Sequence, residues 1–459
     1  MAADQYDLVI VGSGPAGTAA AAFAVGLELR VAVVERDRVG GRARWSGSVP
    51  SKALVDSARV AHTIATAGRS GVHVEASRVD LPTVWRHVRE VQATADEAGS
   101  LLEGADLVHG HATLTGPNEV TVSAGDDERI LQARFVLLCT GSRPVVPDLP
   151  GIGDVGVDTD ETVFEWEQPP SSAIVLGGGP MGVELAQSFQ RLGIATALVE
   201  HGGTLLPRSE PSLVGRLTAV LVDEGVDVIT GADVTAVRAV PDGVELQVHT
   251  VARGGSTERT IAAAALVACT DRRPDVDRLG LDALGLLVGP RGIVVDERGR
   301  TTFRTVYAVG DVTDVECSTH EAEHAAVRAV RDMFFPGRVV GTDVVPSCTF
   351  SDPELAQVGL TAAEAEARHD DVDVWRIDLD PGAIVVVTAK EKIVGGHVLA
   401  PGAGELIHEL ALAVRHKLEL ADLAQLVHVR PTVATSLGRL AAESSSERAQ
   451  RYRWLVRRR

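Results

Sequence analysis

One short pattern occurs twice in this chain, and it fixes most of what the chain can become. The first copy starts with the apolar run Asp7–Val11 and turns at Gly12-Ser13-Gly14-Pro15-Ala16-Gly17. It continues through the alanine-rich TAAAAFAVGL and returns in RVAVVE, which ends at Glu35. The second starts at Ala173–Leu176 and turns at Gly177-Gly178-Gly179-Pro180-Met181-Gly182. It continues through VELAQSFQRLG and returns in ATALVE, ending at Glu200. Short apolar runs flanking a helix-length segment predict strand, helix and strand in that order. In such a unit the first glycine makes the tight turn, and the second lets the backbone approach a pyrophosphate. The third lets helix and strand pack closely, and the helix N-terminus turns unpaired N–H groups toward the phosphates. The interval from the last glycine to the acid is the same in both copies, and there a carboxylate can accept hydrogen bonds from a ribose diol. A lone G-x-G-x-x-G is a weak signal, but two complete copies are a strong one.

The expected class is therefore α/β, with two Rossmann-type dinucleotide-binding domains. An acid at the end of the second strand repels a 2′-phosphate, so Glu200 predicts NAD(H) over NADP(H) in the second site. His201 beside it softens that preference. A third signal is TTFRTVYAVGD at 301–311, which reads as a β-branched strand ending in Gly310-Asp311. An aspartate there can hydrogen-bond a ribityl chain, which points to FAD in the first site. The following CSTHEAEHAAVRAVRDMF reads as a helix. Its N-terminus, near Ser318–His320, would place a positive dipole end at the flavin pyrimidine.

Composition removes other classes. A formal net charge of −19 and 3% aromatic residues argue against a nucleic-acid partner. No apolar run is long enough and free enough of charge for a membrane span. The N-terminal residues lack the charged and apolar regions of a secretory signal. The cysteines Cys139, Cys269, Cys317 and Cys348 are far apart, with no metal-ligand spacing. A reducing cytoplasm is the expected compartment, and no metal is expected. The last twelve residues, RAQRYRWLVRRR, hold six arginines. A solvated tail is the plainer reading, and contact with an acidic partner or membrane surface the other.

In this order the three nucleotide signals resemble the flavoprotein disulfide reductases, the family of dihydrolipoamide dehydrogenase, glutathione reductase and mercuric reductase. The resemblance runs over almost the whole chain. It includes Val49-Pro-Ser-Lys52, Cys139-Thr140-Gly141, VPSCTFSDPELAQVGLT at 345–361 and GELIHELALAVRHKLELADL at 404–423. It implies an FAD domain (1–150 and 275–335), an NAD(P) domain (151–274) and a C-terminal α+β dimerisation domain (340–459). It also implies a homodimer acting on a small molecule, with the C-terminal domain of one subunit over the other's flavin. The family pattern assigns to FAD Gly12, Gly14, Pro15, Ala16, Gly17, Glu35, Arg36, Gly41, Arg42, Lys52, Ala112, Thr140, Gly141, Gly310, Asp311 and His320. To NAD it assigns Gly177, Gly179, Pro180, Gly182, Glu184 and Glu200.

The departures fall on the family's thiol chemistry. Ala43 and Ser48 stand where the family's C-x4-C cysteines stand. Neither forms a disulfide, so reduction by the family mechanism is excluded chemically. Arg430 and Thr435 stand where the family has a catalytic histidine and glutamate. Arginine cannot act as a general base at working pH, but it can clamp a carboxylate, phosphate or enolate. His428 survives nearby. Asp271 replaces a family glycine, and Pro180 an aromatic gate. Lys52 and Glu184 match the family's pair beside the hydride-accepting flavin atom. Candidate catalytic residues are thus Lys52, Glu184, Ser48, Trp45, His428 and Arg430, with Trp45 set to stack on a planar substrate. The expected function is an FAD-dependent oxidoreductase without a redox disulfide. It would pass hydride from NAD(P)H through flavin to a quinone- or enone-like acceptor, or run in reverse. Two alternatives stay open: a flavin-dependent substrate dehydrogenase or oxidase that does not use NAD(P)H, and a non-catalytic FAD-binding scaffold. A displaced thiol at Cys317 is a remote further route.

Overall fold

A computed structural model describes residues 4–75, 77–94, 102–252, 255–314, 317–335, 337 and 344–451. The arginine-rich stretch beyond residue 451 lies outside the described residues.

Strands Asp4–Val11 and Val31–Glu35 run parallel, with Leu8 opposite Val31 and Val11 opposite Val34. Helix Pro15–Val25 connects them. Strand Asp106–His109 extends the sheet on one side. The later part of strand Asp127–Leu138 and the short strand Val306–Ala308 extend it on the other, all parallel. Every residue of Val31–Glu35 is buried, as expected for a strand covered on both faces. On one face the alanines of the first helix (Ala20, Ala24) meet Ala326, Ala329 and Val330 of helix Thr319–Phe334. Small side chains there let two helices lie close over the sheet. The early part of Asp127–Leu138 pairs antiparallel with Glu119–Ala124, which pairs in turn with His111–Gly116.

The second copy builds a second parallel sheet. Its order is Asp227–Ile229, Ala195–Val199, Ser172–Leu176, Ala265–Ala268, Asp158–Thr159. Helix Pro180–Arg191 follows its glycine turn. The glycines act as their spacing predicts. Gly12 and Gly177 have φ of +98° and +105°. A Cβ on Gly17 would lie 2.0 Å from the Gly12 carbonyl oxygen, and one on Gly182 1.9 Å from that of Gly177. No side chain fits at either third position.

The sequence reading of 301–311 as one strand is corrected: only Val306–Ala308 is strand. Thr301 is the cause. Its hydroxyl donates to the Val306 carbonyl (2.9 Å) and accepts from the Phe303 N–H (3.1 Å), so local bonds outcompete ladder pairing.

The C-terminal part is a five-stranded antiparallel sheet, in the order Ser347–Thr349, Glu354–Gly359, Lys392–Ala400, Gly382–Ala389, Val372–Leu379. The pattern of 371–400 predicts three strands with turns at Asp380-Pro-Gly and Lys390-Glu-Lys, and the last three strands in sequence turn at those places. Helices Ala403–Arg415 and Val433–Arg451 pack on it through Ile407, Leu410, Leu437 and Leu440.

Candidate active site

A cavity of about 900 Å³ opens at the carboxyl ends of the first sheet's strands. That is where open parallel sheets place ligands, and the size suits a large cofactor. Its lining includes Gly12, Gly14, Pro15, Ala16, Glu35, Arg36, Gly41, Arg42, Lys52, Ala112, Thr140, Gly141, Gly310, Asp311 and His320. Gly17 does not line it, because its task is packing. Ala43, Trp45, Ser48, Pro180 and Glu184 line it as well. Gly177, Gly179, Gly182 and Glu200 lie at the second glycine turn, outside the cavity, and His428 and Arg430 are not among its walls.

The walls fit FAD. A Cβ on Gly14 would meet no protein atom within 4 Å, so the space beside that backbone faces the cavity. Helix Pro15–Val25 has Pro15 in its first turn and no side-chain cap, which leaves its leading N–H groups for a pyrophosphate. Glu35 is 9% exposed and is held by the Ser13 N–H (2.9 Å), the Ser13 hydroxyl (2.6 Å) and the Asp37 N–H (2.8 Å). A carboxylate so fixed keeps lone pairs for a ribose diol. Arg36 pairs with Asp37 (2.9 Å) and with buried Asp275 (2.8 Å), and Asp275 also binds Arg143.

At the other end, the Lys52 ammonium lies 2.7 Å from Glu184 Oε2 and 4.4 Å from the centre of the Phe350 ring. The Phe350 N–H donates to Glu184 Oε1 at 2.8 Å. Three distant segments therefore meet at one ion pair: helix Ser48–Thr66, helix Pro180–Arg191 and the start of the C-terminal sheet. Sequence reading found Lys52 and Glu184 and missed Phe350, whose part is played by its backbone and ring. Nothing local in the sequence marks that.

Ser48 is exposed to the cavity, its hydroxyl 3.4 Å from that of Thr319. Cys139, Cys317 and Cys348 also line the cavity. Burial first, then Glu321 and Asp311, pushes the Cys317 thiol up to about 12. Burial, with Glu354 and Glu184, does the same for Cys348, to about 12. Burial raises Cys139 too. These are thiols held protonated, unlike reactive cysteines.

Trp45 donates its indole N–H to the Val39 carbonyl (2.9 Å), and the guanidinium groups of Arg38 and Arg44 lie 4.6 and 4.7 Å from its ring centre. That pattern favours packing over stacking on a substrate. His428 Nε2 donates to the Glu409 carboxylate at 3.1 Å, with its side chain 10% exposed, which favours a structural role over proton transfer. Arg430 is exposed, beside Val427 and Val429, which are 99% and 76% exposed on the single chain. Asp271 is exposed and off the cavity wall. Both oxygens of Glu200 accept backbone N–H groups, from Gly178 (2.6 Å) and from Gly202. His201 pairs with Asp233 at 2.9 Å.

Two dinucleotide-binding folds that converge on one lysine–glutamate pair are the plan of a flavin- and nicotinamide-dependent oxidoreductase. The chain belongs to the pyridine nucleotide-disulphide oxidoreductases: that family's model matches residues 6–331, and its dimerisation domain matches 345–441. It is 32% identical to a mercuric reductase of Bacillus cereus over 94% of this chain and 70% of that one. It is also 32% identical to a dihydrolipoyl dehydrogenase of Thermus scotoductus, over 94% and 96%. The fold matches the HOCl-induced flavoprotein disulfide reductase RclA of Escherichia coli with a TM-score of 0.83 at 24% identity, covering 95% and 99% of the two chains. FAD and a pyridine nucleotide are the cofactors of this family. Among the described residues no helix is long and apolar enough to cross a membrane, and no cluster of metal-ligating side chains occurs.

Proposed function

We propose that this protein is an FAD-dependent oxidoreductase that takes hydride from NADH in preference to NADPH. It delivers the electrons to a small organic acceptor of quinone or enone type without a redox disulfide. The observation that carries this reading is the intact Lys52–Glu184 pair in a cavity lined also by Ala43 and Ser48, which the resemblance puts where the family has two thiols. FAD held in this cavity supplies hydride acceptance from a nicotinamide and onward transfer to an acceptor. Gly14 and the open helix start hold the pyrophosphate, and Glu35 the adenosine ribose. Lys52, fixed by Glu184 and the Phe350 ring, would hold a positive charge against the bound flavin. Ala43 and Ser48 leave room for a flat substrate. Arg430 of the partner subunit supplies a clamp for an anionic group on it.

The nucleotide preference rests on Glu200, whose carboxylate is fixed by two backbone donors, and on His201, whose ring is engaged by Asp233. The remaining cavity thiols are held protonated, which suits an acceptor that meets the flavin directly. The test is an anaerobic titration with NADH, followed by the visible absorbance of the flavin. Rapid bleaching with no long-wavelength thiolate–flavin band is the expected result, with reoxidation by added quinones. Bound FAD that NADH does not bleach would overturn the proposal in favour of a substrate oxidase or a non-catalytic scaffold.

A further inference from the structure

A closed ring of five polar side chains bounds the cavity where it meets the second dinucleotide unit. Arg42 donates to Asp160 Oδ2 at 3.0 Å. Arg272 donates to both Asp160 oxygens, at 2.9 and 3.1 Å, and through its Nε to the Ser142 hydroxyl at 2.9 Å. Ser142 donates to Asp311 Oδ2 at 2.9 Å, and that oxygen lies 3.9 Å from Arg42 Nη1. The five residues come from five separate places in the chain. Asp160 is 5% exposed and does not line the cavity, whereas Arg42 does.

One donor of this ring is left over. Arg42 Nη1 lies 3.9 Å from Asp311, beyond hydrogen-bond reach, and its side chain, 34% exposed, lines the cavity. A guanidinium N–H at a cavity wall with no protein acceptor can donate to a ligand oxygen. Asp160 holds Nη2 at 3.0 Å, so the plane of the group is fixed and Nη1 keeps its direction. An acceptor for it must therefore enter from the cavity. The matching chemistry is an anionic or carbonyl oxygen of a bound dinucleotide.

We propose that Asp160 is a positioning residue for FAD: acting through Arg42, it holds one N–H donor against an oxygen of the cofactor. Through Arg272 and Ser142 the same carboxylate ties that donor to Asp311, so the cofactor's two polar contacts move as one unit. This inference rests on the reading that the cavity holds FAD.

The test is the affinity of the full-length apoprotein for FAD, read by quenching of FAD fluorescence, with the flavin midpoint potential as a second measurement. Asp160→Asn and Arg42→Gln each weaken FAD binding by about tenfold, the loss expected for one charge-assisted bond. The double variant binds within about twofold of Arg42→Gln, because Asp160 acts only through Arg42. Asp160→Asn also raises the midpoint potential, since the Arg42 charge is no longer balanced, and a purely structural role would not do this. If Asp160→Asn does not fold, Arg42→Lys serves: it keeps the charge, lacks the fork that reaches Asp160 and the cavity at once, and weakens binding to the same degree. A wild-type chain that binds FAD tightly, with variants that match it or with additive losses in the double variant, overturns this inference alone. A wild-type chain that does not bind FAD overturns the FAD reading with it.

Discussion

Removing the two partners of the Lys52–Glu184 pair should have unequal costs. Glu184 is the buried member at 3% exposed, while Lys52 is 31% exposed toward the cavity. Lys52→Met leaves a desolvated carboxylate with the Phe350 N–H as its remaining donor. Breaking a fully buried pair from one side costs about 3–5 kcal/mol. Water reaching the vacated lysine side brings this toward the lower end, about 3 kcal/mol. Glu184→Gln keeps an acceptor for the Phe350 N–H and strands a lysine that water can reach, for about 1 kcal/mol. The double variant should cost less than the two singles together by about 2 kcal/mol. Guanidinium unfolding followed by tryptophan fluorescence suits the measurement. Trp85 and Trp166 stack 5.7 Å apart, and both lie near Phe189 on the helix that carries Glu184. A Glu184→Gln cost equal to or above that of Lys52→Met would refute the reasoning, and so would strict additivity.

Further outcomes rest on the same structure. Asp332, 2% exposed, accepts from the Tyr307 hydroxyl (2.8 Å), Arg298 (2.7 Å) and Arg300 (2.7 Å). Burial pushes its carboxyl up, but these bonds outweigh burial and hold it below its ordinary 3.8. A lowered carboxyl adds stability above its unfolded value that is lost as pH falls through the folded one. Acid unfolding below about pH 4 should therefore be shallower in Asp332→Asn than in wild type. Cys317 and Cys348, with thiols near 12, should be alkylated by iodoacetamide at pH 8 about a thousandfold more slowly than free cysteine. The double serine variant should keep NADH-driven turnover, and its loss would return sulfur to the mechanism. Gly14→Ala should leave apoprotein stability unchanged and weaken FAD binding. Gly17→Ala, with its Cβ 2.0 Å from the Gly12 oxygen, should cost about 1–3 kcal/mol without any ligand, by thermal melting of the apoprotein.

The fold was legible wherever one short segment does one physical task. The two glycine turns, their strands and their acids stand in the structure as spacing and residue type predict. The three-stranded run at 371–400 was readable for the same reason, because alternation and turn residues act over a few positions. The stretch before Gly310 was misread because β-branched residues signal strand only when the ladder wins. At Thr301 a hydroxyl offers the backbone a nearer partner. Lys52 and Glu184 were reached through resemblance, since nothing between residues 52 and 184 shows that the two will meet.

The polar ring around Asp160 shows why the rest stayed hidden. Aspartate at 160 and arginine at 272 look like ordinary surface residues in the sequence, and a charge is usually solvated. Only folding places Asp160 at 5% exposure between two guanidinium groups. Once there, its anion needs both of them, because one alone would leave part of a desolvated charge uncompensated. Arg42 can therefore not be judged alone. It arrives with its carboxylate, and that carboxylate is shared with Arg272, on the strand that joins the two dinucleotide units. The loop that carries Arg42 is anchored by charge from the second dinucleotide unit. An exchange in that loop that breaks the Arg42–Asp160 contact should therefore disturb both cofactor sites, whereas Ser48→Ala, which leaves the ring whole, should disturb neither.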